Sequence, residues 1–71
     1  MKNEELIAKL KKEQDDLGKK LVKLDSFISN PDNSQTISDL QFNLLVVQYN
    51  TMSAYAKVLG MRISDLEEHH D

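Results

Sequence analysis

The stretch from Ser38 to Leu66 carries two apolar seams on nearly opposite sides of one predicted helix. One set of apolar residues occupies the a and d positions of four successive heptads. This first seam consists of Phe42, Leu45, Tyr49, Met52, Ala56, Leu59, Ile63 and Leu66. The second seam also steps by three and four, and it consists of Leu40, Leu44, Val47, Ala54, Val58 and Met61. Since one neighbouring helix covers only one side, this helix needs at least two packing partners.

A polar stripe separates the two seams along one edge of the same helix. Its members are spaced by seven residues, and they are Gln41, Gln48, Tyr55 and Arg62. A stripe at the border of two apolar faces lies where separate helices would meet. We therefore expect it at the edge of an interface rather than in open solvent.

Residues of about 3–29 form a second amphipathic pattern. Apolar side chains fall on a and d, namely Ile7, Leu10, Leu17, Leu21, Leu24 and Ile28. Gln14 is the polar exception at an a position. A buried polar a residue often specifies register at some cost in stability. The alternative is that Gln14 lies near a frayed end and contributes little.

One break separates the two patterns. Asn30 before Pro31 disfavours helix, so the first helix should end near Ser29 and a loop should cover residues 30–37. Ser38 with Gln41 three residues later forms a capping-box pattern, which predicts a helix start. The sequence therefore predicts an all-α fold, an antiparallel two-helix hairpin in one domain over residues 1–71. The second helix should span about 38–66, with a tail at 67–71 and assembly into an oligomeric helical bundle.

Folding the predicted hairpin about its loop sets which residues face each other. Symmetric folding puts Gly18 opposite Tyr49, Lys12 opposite Tyr55 and Glu5 opposite Arg62, with each pairing specified to about one helical turn. A glycine inside a helix costs about 1 kcal/mol relative to alanine. Gly18 would then make room for the Tyr49 ring or for a ligand, or it is simply tolerated.

Gly60 allows a second interpretation of its surroundings. Residues 56–66 resemble the central turn of helix-turn-helix repressors, where a leucine-glycine pair lies between helices and the glycine is left-handed. The first seam continues through Gly60 to Leu66, and the acidic pair Glu67-Glu68 would repel phosphate. An uninterrupted helix is the favoured prediction.

Charge and composition exclude several classes of protein. The net charge of the 71 residues is −3, whereas duplex nucleic-acid binders need a basic surplus, so no duplex nucleic acid is expected. No apolar run approaches the ~18 residues of a membrane span. The absence of cysteine fits a reducing compartment, and we expect a cytoplasmic protein without a membrane partner. Small scaffolds without disulfides often depend on oligomerisation, as a dimer, tetramer or larger assembly.

Catalytic chemistry is not expected. The chain has no glycine-rich phosphate loop and no paired carboxylates beyond solvated surface pairs such as Asp15-Asp16. His69 and His70 are adjacent in an acidic tail, which suits incidental metal affinity at most. We therefore predict a non-enzyme with no cofactor and no dedicated metal site.

Parts of both helices form a longer pattern. The run Lys23-Leu24-Asp25-Ser26-Phe27-Ile28 precedes Leu44-Leu45, Gln48, Met52, Tyr55, Leu59 and Arg62-Ile63. This resembles a pattern of small helical-hairpin proteins encoded by bacteriophages, and it covers about 40 residues. Half of the motif consists of apolar positions that any helical hairpin needs for its core. The residues that make the resemblance specific are therefore Gln48, Tyr55 and Arg62.

The resemblance implies a phage anti-defence protein. Several small oligomeric phage proteins, among them those called Sequestins, act as sponges for the nucleotide second messengers of bacterial defence systems such as Thoeris and CBASS. A ligand derived from ADP-ribose, or a cyclic nucleotide, would be sequestered between subunits in the host bacterial cytoplasm. The alternative is a non-catalytic coiled-coil interaction protein that binds a host or phage protein.

Such a ligand requires aromatic rings for the base, cations for phosphate and amides for polar edges. The expected ligand-binding residues are Gln48, Tyr49, Asn50, Tyr55, Arg62, Lys20 and Lys23. A purely structural interpretation is also open, in which Tyr55 and Arg62 form the rim of a helix interface and Arg62 pairs with Glu5.

Overall fold

The computed structural model describes residues 2–69, and helices occupy nearly all of that range. α1 is Lys2–Ser29, α2 is the single turn Pro31–Ser34, and α3 is Asp39–Glu68. The predicted all-α class is confirmed, since the described range contains no strand. Met1, and the tail residues His70 and Asp71, lie outside the described residues. None of the helices described is long and apolar enough to cross a membrane.

The two long helices fold back on each other. α1 has 28 residues and α3 has 30, so they are about 42 and 45 Å long at the usual helical rise. The described molecule measures only 52 × 15 × 13 Å, so the helices lie side by side. Lys11 reaches Glu67 whereas Gln14 reaches Ala56, which shows that the helices run antiparallel.

The core consists of a and d residues from both long helices. Leu10, Leu17, Leu59 and Ile63 are buried, and Leu59 is completely inaccessible to solvent. Partly buried residues pack around them, namely Ile7, Leu21, Met52, Ala56 and Leu66. The first seam is therefore the face that α3 turns toward α1, as predicted.

Side chains cap the elements of the connection. Asn30 is extended, and its Oδ1 accepts a hydrogen bond of 3.0 Å from the amide of Asp32. Asn33 Nδ2 donates to the carbonyl of Phe27 at the end of α1 (3.2 Å). Ser38 is the N-cap of α3, and its Oγ accepts from the amide of Gln41 at 3.1 Å, as the capping pattern predicted. The segment predicted as a loop thus contains the helical turn α2.

The predicted register between the long helices is wrong by one to two turns. Symmetric folding would put Gln14 opposite Ser53, but Gln14 Nε2 donates to the carbonyl of Ala56 (3.4 Å) and lies beside Gly60. Gln14 is closer to the end of α1 than Ala56 is to the start of α3. α3 therefore begins beyond the end of α1, because α2 and residues 35–38 occupy the connection.

The glycine predictions change with the register. Apart from its own chain neighbours and the adjacent backbone of α1, no atom of the described residues lies within 4 Å of where a Cβ at Gly18 would sit, so Gly18 does not make room for the Tyr49 ring. Gly60 lies inside α3, and no glycine of the described range has a positive φ. The helix-turn-helix interpretation is wrong, since α3 continues through Gly60. A Cβ at Gly60 would lie 3.1 Å from Gln14 Nε2, so this glycine makes room for Gln14.

Candidate functional site

The second seam is exposed along the outer side of α3. Leu40 is 66% exposed at one end and Met61 is 71% exposed at the other. Leu44, Val47 and Val58, which lie between them, each expose half or more of their surface. Within one hairpin, α1 covers the first seam and leaves the second seam without a cover.

Thr51 belongs to this outer face, although its polar side chain kept it out of the predicted second seam. It lies between Val47 and Ala54 with the same spacing of four and three residues. Its Oγ1 donates to the carbonyl of Val47 at 2.9 Å, so the hydroxyl is satisfied within α3. Thr51 therefore interrupts the second seam less than its polarity suggests, and the spacing alone would have identified it.

The polar stripe lies at one border of this face, and all four of its residues are exposed. Tyr55 is 45% exposed, which leaves its side chain accessible to another ring. Gln48 makes a weak contact from its Nε2 to Met52 Sδ at 3.8 Å. From Gln48 to Arg62 the stripe extends about 21 Å along the helix axis.

Arg62 in the stripe and two lysines near it form no ion pair with the carboxylates that the structure describes. Arg62 is exposed and forms no ion pair with Glu5, so the pairing in the structural interpretation is not found, while the role of Tyr55 and Arg62 as an interface rim stays a prediction. Lys20 and Lys23 are exposed on α1, at heptad positions on the side of the hairpin that adjoins the stripe. No ion pair within the described residues involves either lysine. Three cations therefore remain able to bind an anion.

Two of the expected ligand-binding residues lie apart from the stripe. Tyr49 occupies an a position on the first seam and is half-buried against α1. Asn50 is exposed but lies far around α3 from Gln48 and Tyr55. Within one chain, heptad positions on the two antiparallel helices therefore put Gln48, Tyr55, Arg62, Lys20 and Lys23 on one side, and leave Tyr49 and Asn50 outside that group.

Two open grooves lie on the described surface of the hairpin. One open groove along α1 is lined by Lys11, Gln14, Asp15, Gly18, Lys19 and Val22. A second open groove along α3 is lined by Lys57, Gly60, Met61, Ser64, Asp65 and Glu68. Neither groove includes an expected ligand-binding residue. A ligand bound at the stripe would require further contacts from a second molecule, because two helices enclose no deep pocket.

The described acidic and histidine residues form no metal-binding group of three or more. His69 Nδ1 lies 3.1 Å from Asp65 Oδ1 on the exposed last turn of α3, and His70 lies outside the described residues. The arrangement at His69 is an exposed pair at i and i+4 along the helix.

The fold and this surface define a small helical-hairpin protein with an apolar outer face bordered by a polar stripe. The family model described as Sequestin matches residues 4–65, and the chain belongs to the Sequestin family. The resemblance stated from the sequence is thereby confirmed. No curated protein and no solved structure matches the chain.

Proposed function

We propose that this protein binds and sequesters a nucleotide-derived immune second messenger in a pocket formed between subunits. The observation that carries the proposal is the Sequestin match over residues 4–65, because the family name itself indicates sequestration. The ligand would be an ADP-ribose derivative or a cyclic nucleotide. The protein would act as a phage anti-defence factor in the bacterial cytoplasm, against systems of the Thoeris or CBASS type.

The exposed stripe supplies the chemistry that a nucleotide requires. Tyr55 offers its ring to a base, and such stacking contributes about 1–3 kcal/mol per base. The guanidinium of Arg62 can form paired hydrogen bonds to a phosphate. Lys20 and Lys23 add positive charge from α1, and the Gln48 amide can donate to or accept from a base edge.

The proposed activity is binding without turnover. A sponge must hold its ligand tightly at a site of complementary charge and shape, and needs no acid, base or nucleophile. Asn50 would contribute only from a second subunit, since it lies away from the stripe within its own chain. Tyr49 would contribute at most an edge of its half-buried ring.

A thermal-shift screen tests the proposal directly. The purified protein would be heated with millimolar ADP-ribose, cyclic ADP-ribose isomers and cyclic dinucleotides, one at a time. Ligand at 100 times its dissociation constant stabilises the folded state by about 2.7 kcal/mol. For a chain of this size, that corresponds to a rise in Tm of about 10 °C or more. No shift with any of these ligands would overturn the proposal.

The role of Arg62 is tested by its removal. Arg62→Ala should weaken binding of the active nucleotide at least tenfold, while the helical content measured by circular dichroism stays unchanged, since Arg62 is exposed. Lys57→Ala is the matched control, because Lys57 is another exposed cation of α3 outside the stripe. Equal losses for the two variants would indicate general charge attraction instead of a specific phosphate contact.

A second candidate function is a non-catalytic interaction protein. The observation that favours it is the exposed second seam, whose heptad spacing suits a helix from a host or phage protein. The nucleotide screen separates the two functions, because a protein-binding adaptor has no reason to be stabilised by one nucleotide among several.

A further inference from the structure

The two methionines of α3 lie in different surroundings. Met61 is 71% exposed, the largest fraction among the large apolar side chains that the structure describes. Met52 is only partly exposed and packs against the buried core between the long helices. Oxidation of a thioether depends on its exposure, and the product, methionine sulfoxide, is a polar side chain. The fold therefore makes one methionine accessible to an oxidant and shields the other.

A hydrogen bond adds to this difference. The Gln48 amide donates from Nε2 to Met52 Sδ at a distance of 3.8 Å. A sulfur lone pair that accepts a hydrogen bond is less available to attack an oxidant. The Met61 side chain instead lines an open groove of α3. A small oxidant can therefore reach the Met61 sulfur directly from solvent.

The groove at Met61 also contains groups that suit the oxidised side chain. Lys57 precedes Met61 by four residues and Ser64 follows it by three, so both lie on the same side of α3. Both also line the groove. A sulfoxide oxygen accepts hydrogen bonds, and the Lys57 ammonium and the Ser64 hydroxyl are donors. The oxidised side chain can therefore be held in the groove without entering the core.

We propose that Met61 is a reversible oxidation site, at which a hydroperoxide converts the thioether to a sulfoxide while Met52 stays reduced. A lone pair of Met61 Sδ attacks the terminal peroxide oxygen, and the S–O bond forms as the O–O bond breaks. The attacked oxygen passes its proton to the leaving oxygen, which departs as water or an alcohol. Sulfur loses two electrons and the peroxide gains them. Methionine sulfoxide reductases reverse the step with electrons from a thiol.

Oxidation at this position changes the second seam and spares the hairpin core. Met61 is the last residue of that seam, so its sulfoxide puts a polar oxygen at one end of the exposed apolar face. Oxidation of Met52 would instead put the oxygen against the buried core. The polarity of the outer face of α3 is thereby changed without a loss of fold.

Trypsin separates the methionines, so oxidation can be measured at each of them. Cleavage after lysine and arginine puts Met52 in the peptide 24–57 and Met61 in the peptide 58–62. The dilute native protein would be treated with hydrogen peroxide, quenched at intervals, digested and analysed by mass spectrometry. Met61 should be oxidised at least about twofold faster than Met52, because its exposure is greater. The same reaction in concentrated urea is the control, and the two rates should be equal there.

A second measurement tests whether the site lies outside the core. Met52→Leu, oxidised at Met61, should keep its Tm within about 4 °C of the unoxidised variant, as expected for a change on the surface. Met61→Leu, oxidised at Met52, is the matched comparison and should lose more, because a polar oxygen then lies against the core. Met1 lies in a separate tryptic peptide, and its oxidation is common to both variants.

Three outcomes would overturn the proposal. The first is oxidation of Met61 in the native protein at a rate no greater than that of Met52. The second is an equal loss of Tm in the two oxidised variants. The third is failure of methionine sulfoxide reductases to restore the original mass of the peptide 58–62.

Discussion

The two glycines of the chain occupy helices, yet their surroundings differ. Gly60 lies against Gln14, whose Nε2 would be 3.1 Å from an added Cβ and donates to the carbonyl of Ala56. Gly18 faces open space. Gln14 is half-buried in the middle of α1, so it does not lie at a frayed end. The contact between Gln14 and Gly60 is a feature by which the hairpin can specify its register.

Alanine substitution at the two glycines should have unequal effects. Gly18→Ala should stabilise the hairpin by about 1 kcal/mol, since alanine is the better helix former and nothing obstructs its methyl group. Gly60→Ala should gain less, because the tip of Gln14 must move by a few tenths of an ångström and its bond to Ala56 weakens. Urea denaturation of both variants measures the difference.

The comparison also tests what occupies the space beside Gly18. If Gly18→Ala fails to stabilise, or weakens self-association, then a second chain or a ligand fills the groove along α1 that Gly18 lines. A larger gain at Gly60 than at Gly18 would contradict the proposed role of Gln14.

At the scale of the element, α3 depends on one local signal at its start. Ser38 has extended backbone angles, and its Oγ accepts from the amide of Gln41 at 3.1 Å. This hydrogen bond satisfies one of the amides that the first helical turn leaves without a partner. Asp39 in the same turn adds a favourable interaction with the positive end of the helix dipole.

Removal of this cap should destabilise the whole hairpin. Ser38→Ala should lower the free energy of unfolding by about 1 kcal/mol, because alanine has no side-chain oxygen that can accept the cap hydrogen bond. The measurement is urea denaturation followed by circular dichroism. Ser64→Ala is the control, since Ser64 is exposed within α3 and alanine is the better helix former there. Equal destabilisation at the two serines would contradict the capping role.

At the scale of the whole molecule, a single hairpin leaves much apolar surface uncovered. Its buried core comprises Leu10, Leu17, Leu59 and Ile63, while five large residues of the second seam are exposed. Chains of about this size bury only roughly 60% of the surface that they expose when unfolded. A second copy would bury more apolar surface without any change in the hairpin, and this is why self-association should raise the observed stability.

Self-association predicts a Tm that rises with protein concentration. Val47→Gln should remove this dependence and raise the dimer dissociation constant at least about tenfold, because a buried valine contributes at least about 1.5 kcal/mol per copy. Val22→Gln is the matched control, since Val22 is 67% exposed on α1 and lies outside the second seam. Sedimentation velocity and thermal melts at two concentrations measure both effects.

Two results would contradict this expectation. A wild-type Tm independent of concentration together with a mass near 8.2 kDa would show that the second seam stays uncovered. Equal effects of Val47→Gln and Val22→Gln would show that apolar exposure in general, and not this seam, controls association.

The sequence by itself determined the helices, the cap at Ser38, the break at Asn30-Pro31 and the division of α3 into a covered and an uncovered seam. These features depend on interactions between residues within about seven positions of each other. Such local interactions can be recognised directly from the spacing of apolar residues and from the cap residues. Only the tertiary structure decided the register between α1 and α3 and the open space at Gly18. Those depend on contacts between residues more than forty positions apart, such as Gln14 with Ala56, and on the length that α2 takes up in the connection. The spacing of apolar residues contains no information about these contacts between helices, because sliding one helix past the other by a heptad brings the same pattern of apolar positions together again.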